Sequence, residues 1–305
     1  MAAFTTFSDE SLERYLIMFG RGTLIEHSAI KGGIENSNYF VHLEQHGEVT
    51  EFVLTIMEDH GFDEVPFFSK ILTRLHHYGL PVAAPQTTLD GMTSTIFCGK
   101  PTFLFKRLPG THLEDAGEDH CRSLGAFIAS SHHALGSMEE TRDNPYCADW
   151  MDTTLSSARE RISMEDRELL NRIIRCYRDL TSSELPRGLI HGDLFRDNAL
   201  FVDGKLTGVI DFYHACHDLL VLDLAVALND WCLDDNGEID PARKRAMIEG
   251  YETVRTLSPA EQDALLTLQQ VSAARFALTR LLSGNPPLKN PAEMIALARK
   301  LDQDK

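Results

Sequence analysis

The sequence predicts an α+β chain in two parts: a small antiparallel sheet with one inserted helix, then a larger, mainly helical part interrupted by one hairpin. Three observations carry this. Five short apolar stretches, rich in β-branched and aromatic residues and joined by Gly and Asp-Gly turns, crowd the chain up to Lys106. After Lys106 the apolar residues recur at helical spacing in seven successive segments. Among those helices the stretch NALFVDGKLTGVID, Asn198 to Asp211, reads as strand, Asp203-Gly204 turn, strand.

The elements follow in order. Ser8, with Asp9 and Glu10 behind it, is an N-cap for a short helix whose Leu12, Tyr15, Leu16 and Phe19 share a face and which ends at Gly20 and Gly22. Strands are expected at Leu24 to Ile30, Asn38 to Leu43, Phe52 to Met57, Thr93 to Phe97 and Thr102 to Phe105. Between the third and fourth, a helix from Asp63 to Tyr78 places Phe68, Ile71, Leu72 and Leu75 on one side, with Gly79 as its stop. Arg107-Leu-Pro-Gly then marks a boundary between residues 1–106 and 107–305. Helices are expected at Glu118 to Leu135, Met151 to Ile162, Glu165 to Leu180, Leu219 to Trp231, Ala242 to Thr256, Pro259 to Leu282 and Pro291 to Leu301. Gly284 to Pro291 reads as an ordinary loop and Lys300 to Lys305 as a frayed tail.

Composition excludes some partners. With a net charge of −17, the chain lacks the clustered Lys and Arg that nucleic acid or an anionic membrane surface requires, so any anionic nucleotide must be held locally. The six cysteines form no CxxC pair, which suits neither a zinc site nor a disulfide scaffold and implies reduced thiols in the cytoplasm. The first residues show no basic segment followed by an apolar run, and no later stretch is long enough to span a bilayer. Both a monomer and a homodimer are compatible with these numbers.

The chemistry is concentrated in HGDLFRDN, His191 to Asn198, and in Ile210-Asp211-Phe212. An isolated HGD is a turn with an Asp cap. Here Asp193 is followed five residues later by Asn198, and the hairpin returns Asp211 to the same end. A carboxylate beside an acceptor hydroxyl and two oxygen ligands for a cation are what phosphoryl transfer from ATP with Mg2+ needs, because positioning and charge neutralisation supply most of its catalysis. Asp193 is therefore the expected base, and Asn198 and Asp211 the expected metal ligands.

On the nucleotide side, Lys31-Gly32-Gly33 joins the first two strands; Gly32 and Gly33 let backbone N–H groups approach phosphates, and Ser37 and Asn38 add side-chain donors. It is not a Walker A loop. Where kinases carry a phosphate-binding Lys on the third strand, FVLTIME has Thr55, so magnesium and backbone donors or another cation, Lys31, Lys70, Lys100 or Lys106, must serve.

HGDLxxxN followed by IDF resembles the motif pair of the aminoglycoside phosphotransferase and choline kinase superfamily. The combination GGIENSNYFV, FVLTIME, HGDLFRDNALF, IDFYHAC and DLAVALNDWC is similar to the bacterial homoserine kinases of that type, Thr55 included. The resemblance implies a two-lobe, protein-kinase-like fold and phosphorylation of L-homoserine within threonine synthesis. Homoserine presents a hydroxyl to Asp193, a carboxylate that suits a planar cation, and an ammonium that suits carboxylates. Arg275 and Arg280 are the candidates for its carboxylate, Asp230 for its ammonium, and Tyr213, Asn229 and Trp231 for the surrounding wall. Asp223 and His191 are expected to brace the loop, and His76, His77, His132 and His133 to lie on helix surfaces. Rival readings are a kinase of choline, an aminoglycoside or hydroxylysine, and a nucleotide-binding protein without chemistry.

Overall fold

The computed structural model describes residues 4–31, 35–234, 236–283 and 289–303. Gly32 and Gly33 lie outside the described residues, as do most of the Gly284 to Pro291 loop and the end of the tail. The chain forms two compact units, Met1–Gly110 with Thr207–Ile210, and Thr111–Leu206 with Asp211–Lys305.

The first unit is built on five antiparallel strands, β1 (Thr23–Ala29), β2 (Asn36–Gln45), β3 (Glu48–Met57), β4 (Thr95–Phe97) and β5 (Lys100–Lys106), in the order β1-β2-β3-β5-β4. Helix α1 (Asp9–Leu16) starts where Ser8 accepts the Ser11 N–H, and its Leu12, Tyr15 and Leu16 pack with Phe19 on Tyr39, Val41, Leu54, Ile56 and Leu104. The period of two sends their neighbours to the other face: Asn38 lies opposite Thr55, and Thr55 opposite Phe103. Helix α2 (Val65–His77) ends as its glycine predicts. Gly79, at φ +76°, donates to His76 O and Leu80 to Leu75 O, which satisfies the last carbonyls.

The second unit contains α3 (Glu118–Leu135), α4 (Ala148–Ser157), α5 (Met164–Thr181), then the strands β6 (Arg187–Ile190), β7 (Ala199–Val202), β8 (Lys205–Val209, its last residues counted with the first unit) and β9 (Cys216–Leu219). Helices α6 (Leu220–Trp231), α7 (Pro241–Glu252), α8 (Pro259–Leu282) and α9 (Pro291–Gln303) complete it. Helix α4 stops short of the expected Ile162, and Arg159–Arg161 form a separate 3-10 turn. Strands β6 and β9, which the sequence did not predict, pair antiparallel from Arg187↔Leu219 to Ile190↔Cys216 and flank the catalytic segment. Helix α8 is buried without a break from Gln269 to Leu278, so it is the central helix against which α6 and α9 pack. Among the described residues no helix is long and apolar enough to cross a membrane.

Candidate active site

Ile190 ends β6, and the chain then turns sharply at Gly192, whose φ is +76°. A Cβ there would approach His214 O to 3.1 Å, so both conformation and space favour glycine. Helix α6 holds this turn at three points. The Asp223 carboxylate accepts the N–H groups of His191 (2.9 Å) and Gly192 (2.8 Å), the Asp230 carboxylate accepts Arg196 N–H (2.7 Å), and the Trp231 indole donates to Leu194 O (3.1 Å). Asp223 and Asp230 are seven residues apart, two helical turns, and so share a face.

Asp223 is fully buried. Burial would raise its pKa, but the hydrogen bond and charge of His132, with help from His191 and the Gly192 N–H, outweigh it and hold the carboxyl below its usual range. His132 is 4% exposed, with Nε2 3.1 Å from Asp223 and Nδ1 3.1 Å from the Tyr251 hydroxyl. It is thus a buried clamp, not the surface histidine expected, because α3 meets α6 and α7 on that side. His133, one residue on, is exposed as expected.

Within the turn, Asp193 N–H donates to His191 Nδ1 at 3.2 Å, which makes His191 a brace. Asn198, in the 3-10 turn Arg196–Asn198, donates its amide N–H groups to Asp193 O (2.7 Å) and Asp193 Oδ2 (3.1 Å). With the amide nitrogen so engaged, its Oδ1 is the atom left for a cation. Asn198 precedes β7 and Asp211 follows β8, and these strands form one two-stranded sheet across Asp203-Gly204, so both predicted ligands stand at the same end of the hairpin. Asp211 holds a left-handed backbone, φ 65° and ψ 55°, an uncommon state for a residue other than glycine and one that recurs at functional positions. An amide oxygen and a carboxylate are hard donors that fit magnesium, which takes few protein ligands and completes its shell with phosphate and water. Among the described residues no group of three His, Cys, Asp or Glu is assembled to hold a metal.

The expected acceptor residues separate. Arg275, on α8, is 8% exposed, donates to Gly192 O, and lies 4.2 Å from the ring centres of both Tyr146 and Phe276. It borders a small cavity behind Gly192. Arg280, five residues later and on a different face of α8, donates instead to Asn290 O (2.9 Å) and Glu293 (3.0 Å) at the start of α9, an interhelical tie. Asp230 is committed to Arg196, and burial, its largest influence, raises its pKa despite that cation. Asn229 exchanges hydrogen bonds with Gln269, giving to its backbone O (2.7 Å) and accepting from its side chain (3.1 Å). Trp231 is wholly buried. Asp230 and Trp231 thus tie α6 to the catalytic turn, and Asn229 ties α6 to α8. Tyr213 is 6% exposed in the turn that follows Asp211.

The nucleotide-side residues also divide, in the first unit, between two faces of the sheet. Thr55 donates to Asn38 Oδ1 at 2.7 Å on one face. Ser37 lies opposite Ile56 and Lys106 opposite Phe52, on the other. Ser37 is fully buried, accepts the N–H groups of Phe4 (2.8 Å) and Thr5 (2.9 Å), and donates to Glu58, so its hydroxyl pins the N-terminal segment. Lys100 pairs with Glu58 and with Thr5. The sequence could not show that a one-residue step along β2 or β5 changes face without first fixing the register.

The chain is similar to known proteins over nearly its whole length. The profile of the phosphotransferase enzyme family matches residues 26–257. The homoserine kinase of Methylobacillus flagellatus is 35% identical over 92% of this chain and 87% of its own. Those of Pseudomonas aeruginosa (36%, covering 93% and 89%) and Neisseria meningitidis serogroup B (34%, covering 94% and 93%) are comparable. Among solved structures, the amicoumacin kinase hAmiN in complex with AMP-PNP, Ca2+ and Ami superposes with a TM-score of 0.76 at 13% identity, covering 98% of this chain and 94% of that one. A microcompartment-associated aminopropanol kinase follows at 0.69 and 19%, covering 97% and 98%. At these identities the structures establish the shared fold, the two-lobe phosphotransferase architecture.

Proposed function

The chain belongs to the phosphotransferase enzyme family, and from that premise we propose that it transfers the γ-phosphoryl group of ATP to the side-chain hydroxyl of L-homoserine, yielding O-phospho-L-homoserine for threonine synthesis. The observation that carries the acceptor is the relationship to homoserine kinases at 34% to 36% identity over 92% to 94% of the chain. The geometry supports it. The base in this reading is Asp193, which takes the proton of the acceptor hydroxyl while the Asn198 amide fixes its carboxylate. Asn198 Oδ1 and the Asp211 carboxylate would hold the divalent cation, assigned here as Mg2+. When bound, that ion neutralises charge on the phosphate oxygens. Asn38 and Thr55 are the side chains of the sheet assigned to the nucleotide. Arg275 is assigned to the acceptor carboxylate. A choline-like quaternary ammonium would need aromatic faces, and those of Tyr146 and Phe276 are already covered by the Arg275 guanidinium. Reduced thiols, with all six cysteines free, fit a cytoplasmic site of action.

The test is an assay of the purified protein with MgATP and L-homoserine beside L-serine, L-threonine, choline and kanamycin. Preference for L-homoserine is expected, with Asp193→Asn folding normally and losing about a hundred- to ten-thousandfold in kcat. Turnover of a different alcohol with Asp193 still required would keep the site and discard the acceptor.

A further inference from the structure

We propose that the cavity behind Gly192 seats the α-carboxylate of the acceptor, received jointly by the Ser272 hydroxyl and the Arg275 Nε–H, and that Ser272 helps select acceptors bearing a carboxylate. The proposal rests on the homoserine reading above and adds a residue to it. Ser272 and Arg275 stand three residues apart on α8, hence on one face, and both line the cavity together with Gly192, Asn144, Tyr146 and Tyr177. Ser272 is 1% exposed and Arg275 8%. Ser272 Oγ and Arg275 Nε are buried, and neither has a hydrogen-bond partner among the described residues.

A buried hydroxyl in mid-helix normally bonds to a carbonyl of its own preceding turn, as Ser131 does to Ile128 O at 2.8 Å. Ser272 does not. Leaving such a donor without a partner is costly, and a buried cation without a counter-ion more so. Arg275 has no carboxylate partner among the described residues; its contacts are one carbonyl and two ring faces. The neighbouring polar groups are already committed. Asn144 donates to the Tyr177 hydroxyl (3.1 Å) and to Asp218 (2.6 Å), its Oδ1 accepts Tyr146 N–H (2.8 Å), and the Tyr177 hydroxyl donates to Asp218 (2.5 Å). An unpartnered hydroxyl beside an unpartnered guanidinium N–H, with the Asn144 and Tyr177 groups already turned to Asp218, can together receive a small anion that accepts hydrogen bonds. Gly192, on the wall of the cavity, is the residue before Asp193, so in this proposal the carboxylate and the reacting hydroxyl of one acceptor lie on the same turn.

Three compounds separate the claims. 3-Amino-1-propanol is L-homoserine without its carboxylate, and L-2-aminobutyrate is L-homoserine without its hydroxyl. Ser272→Ala and Arg275→Met should each lower the preference for L-homoserine over 3-amino-1-propanol, as a ratio of kcat/KM, by about tenfold or more. Each should weaken calorimetric binding of L-2-aminobutyrate by a similar factor, and Ser272→Thr, which keeps the hydroxyl, should restore part of it. Equal losses on both acceptors would overturn the proposal and make Ser272 a packing residue. If the protein turns over no homoserine, the activity reading fails alone. Binding of L-2-aminobutyrate that is lost in Ser272→Ala would then still support the pocket, and no binding, or binding indifferent to Ser272, would overturn it.

Discussion

Asp223 has no exposed surface, yet it stays charged because the His132 ring and two backbone N–H groups converge on it. Its folded pKa is depressed, so its stabilising contribution is complete above its unfolded value, about 3.9, and is lost as pH falls through the lower folded value. His132→Ala should remove the main opposing influence, let burial push the Asp223 pKa upward, and bring acid unfolding to higher pH. At neutral pH it should cost about 1 to 3 kcal/mol or more, the penalty for leaving a buried carboxylate without one of its hydrogen-bond donors. Urea unfolding at pH 7 and an acid titration of ellipticity would measure both, and His132→Gln, which keeps a donor, should recover part. The same residues show what the sequence could reveal. The grouping of Asp193, Asn198 and Asp211 was legible because short-range spacing and one hairpin bring them together. His132 was not, because its partners Asp223 and Tyr251 lie 91 and 119 residues away. Arg275 and Arg280 looked equivalent in sequence, and only the packing of α9 distinguishes the buried cation from the one paired with Glu293.

Helices α3 and α7 approach so closely that each donates a glycine to the crossing. A Cβ on Gly125 would fall 2.0 Å from Met247 O, and one on Gly250 would fall 2.0 Å from Arg122 O. Backbone cannot yield as a side-chain tip can, so Gly125→Ala should cost about 1 to 3 kcal/mol despite the better helix propensity of alanine. The thermal midpoint should fall accordingly, and an unchanged midpoint would mean that the helices can slide apart freely. Gly192→Ala differs in kind. It strains a positive φ at the turn that presents Asp193, so turnover should fall more than stability does, which parallel measurement of kcat and Tm would reveal. Helix α3 carries a regular apolar period and was read from the sequence with the limits observed, Glu118–Leu135. Strands β6 and β9 were missed because four residues each are too few to display a period, and their apolar runs merge with the motif on one side and with α6 on the other.

At the scale of the whole chain, the expected division at Lys106 and the observed one at Gly110 differ by more than a few residues, because Thr207–Ile210 also cluster with the first unit. Val209 N–H donates to Pro81 O (2.7 Å) and the Thr207 hydroxyl to Pro109 O (2.6 Å), pairings across about a third or more of the sequence that no local pattern announces. The charge, in contrast, is legible in full: 29 basic residues against 46 acidic ones leave −17. Many of the basic side chains are spent in exposed pairs such as Arg178 with Asp149 and Asp152, which contribute little to stability and nothing to attracting an anion. A nucleotide that is itself an anion therefore approaches against a repulsive field. Screening shortens that field to about 10 Å at 0.1 M salt. The KM for MgATP should accordingly fall, by roughly two- to threefold, as salt rises from low concentration to about 0.15 M, the reverse of the usual weakening of charge-driven binding. The KM for zwitterionic L-homoserine should move much less, since it carries no net charge and Arg275 is buried beyond easy screening. A KM for MgATP that rises steadily with salt would show that local cations near the phosphates dominate over the net charge. Lys31, exposed and next to Gly32 in the sequence, would then be the first position to neutralise.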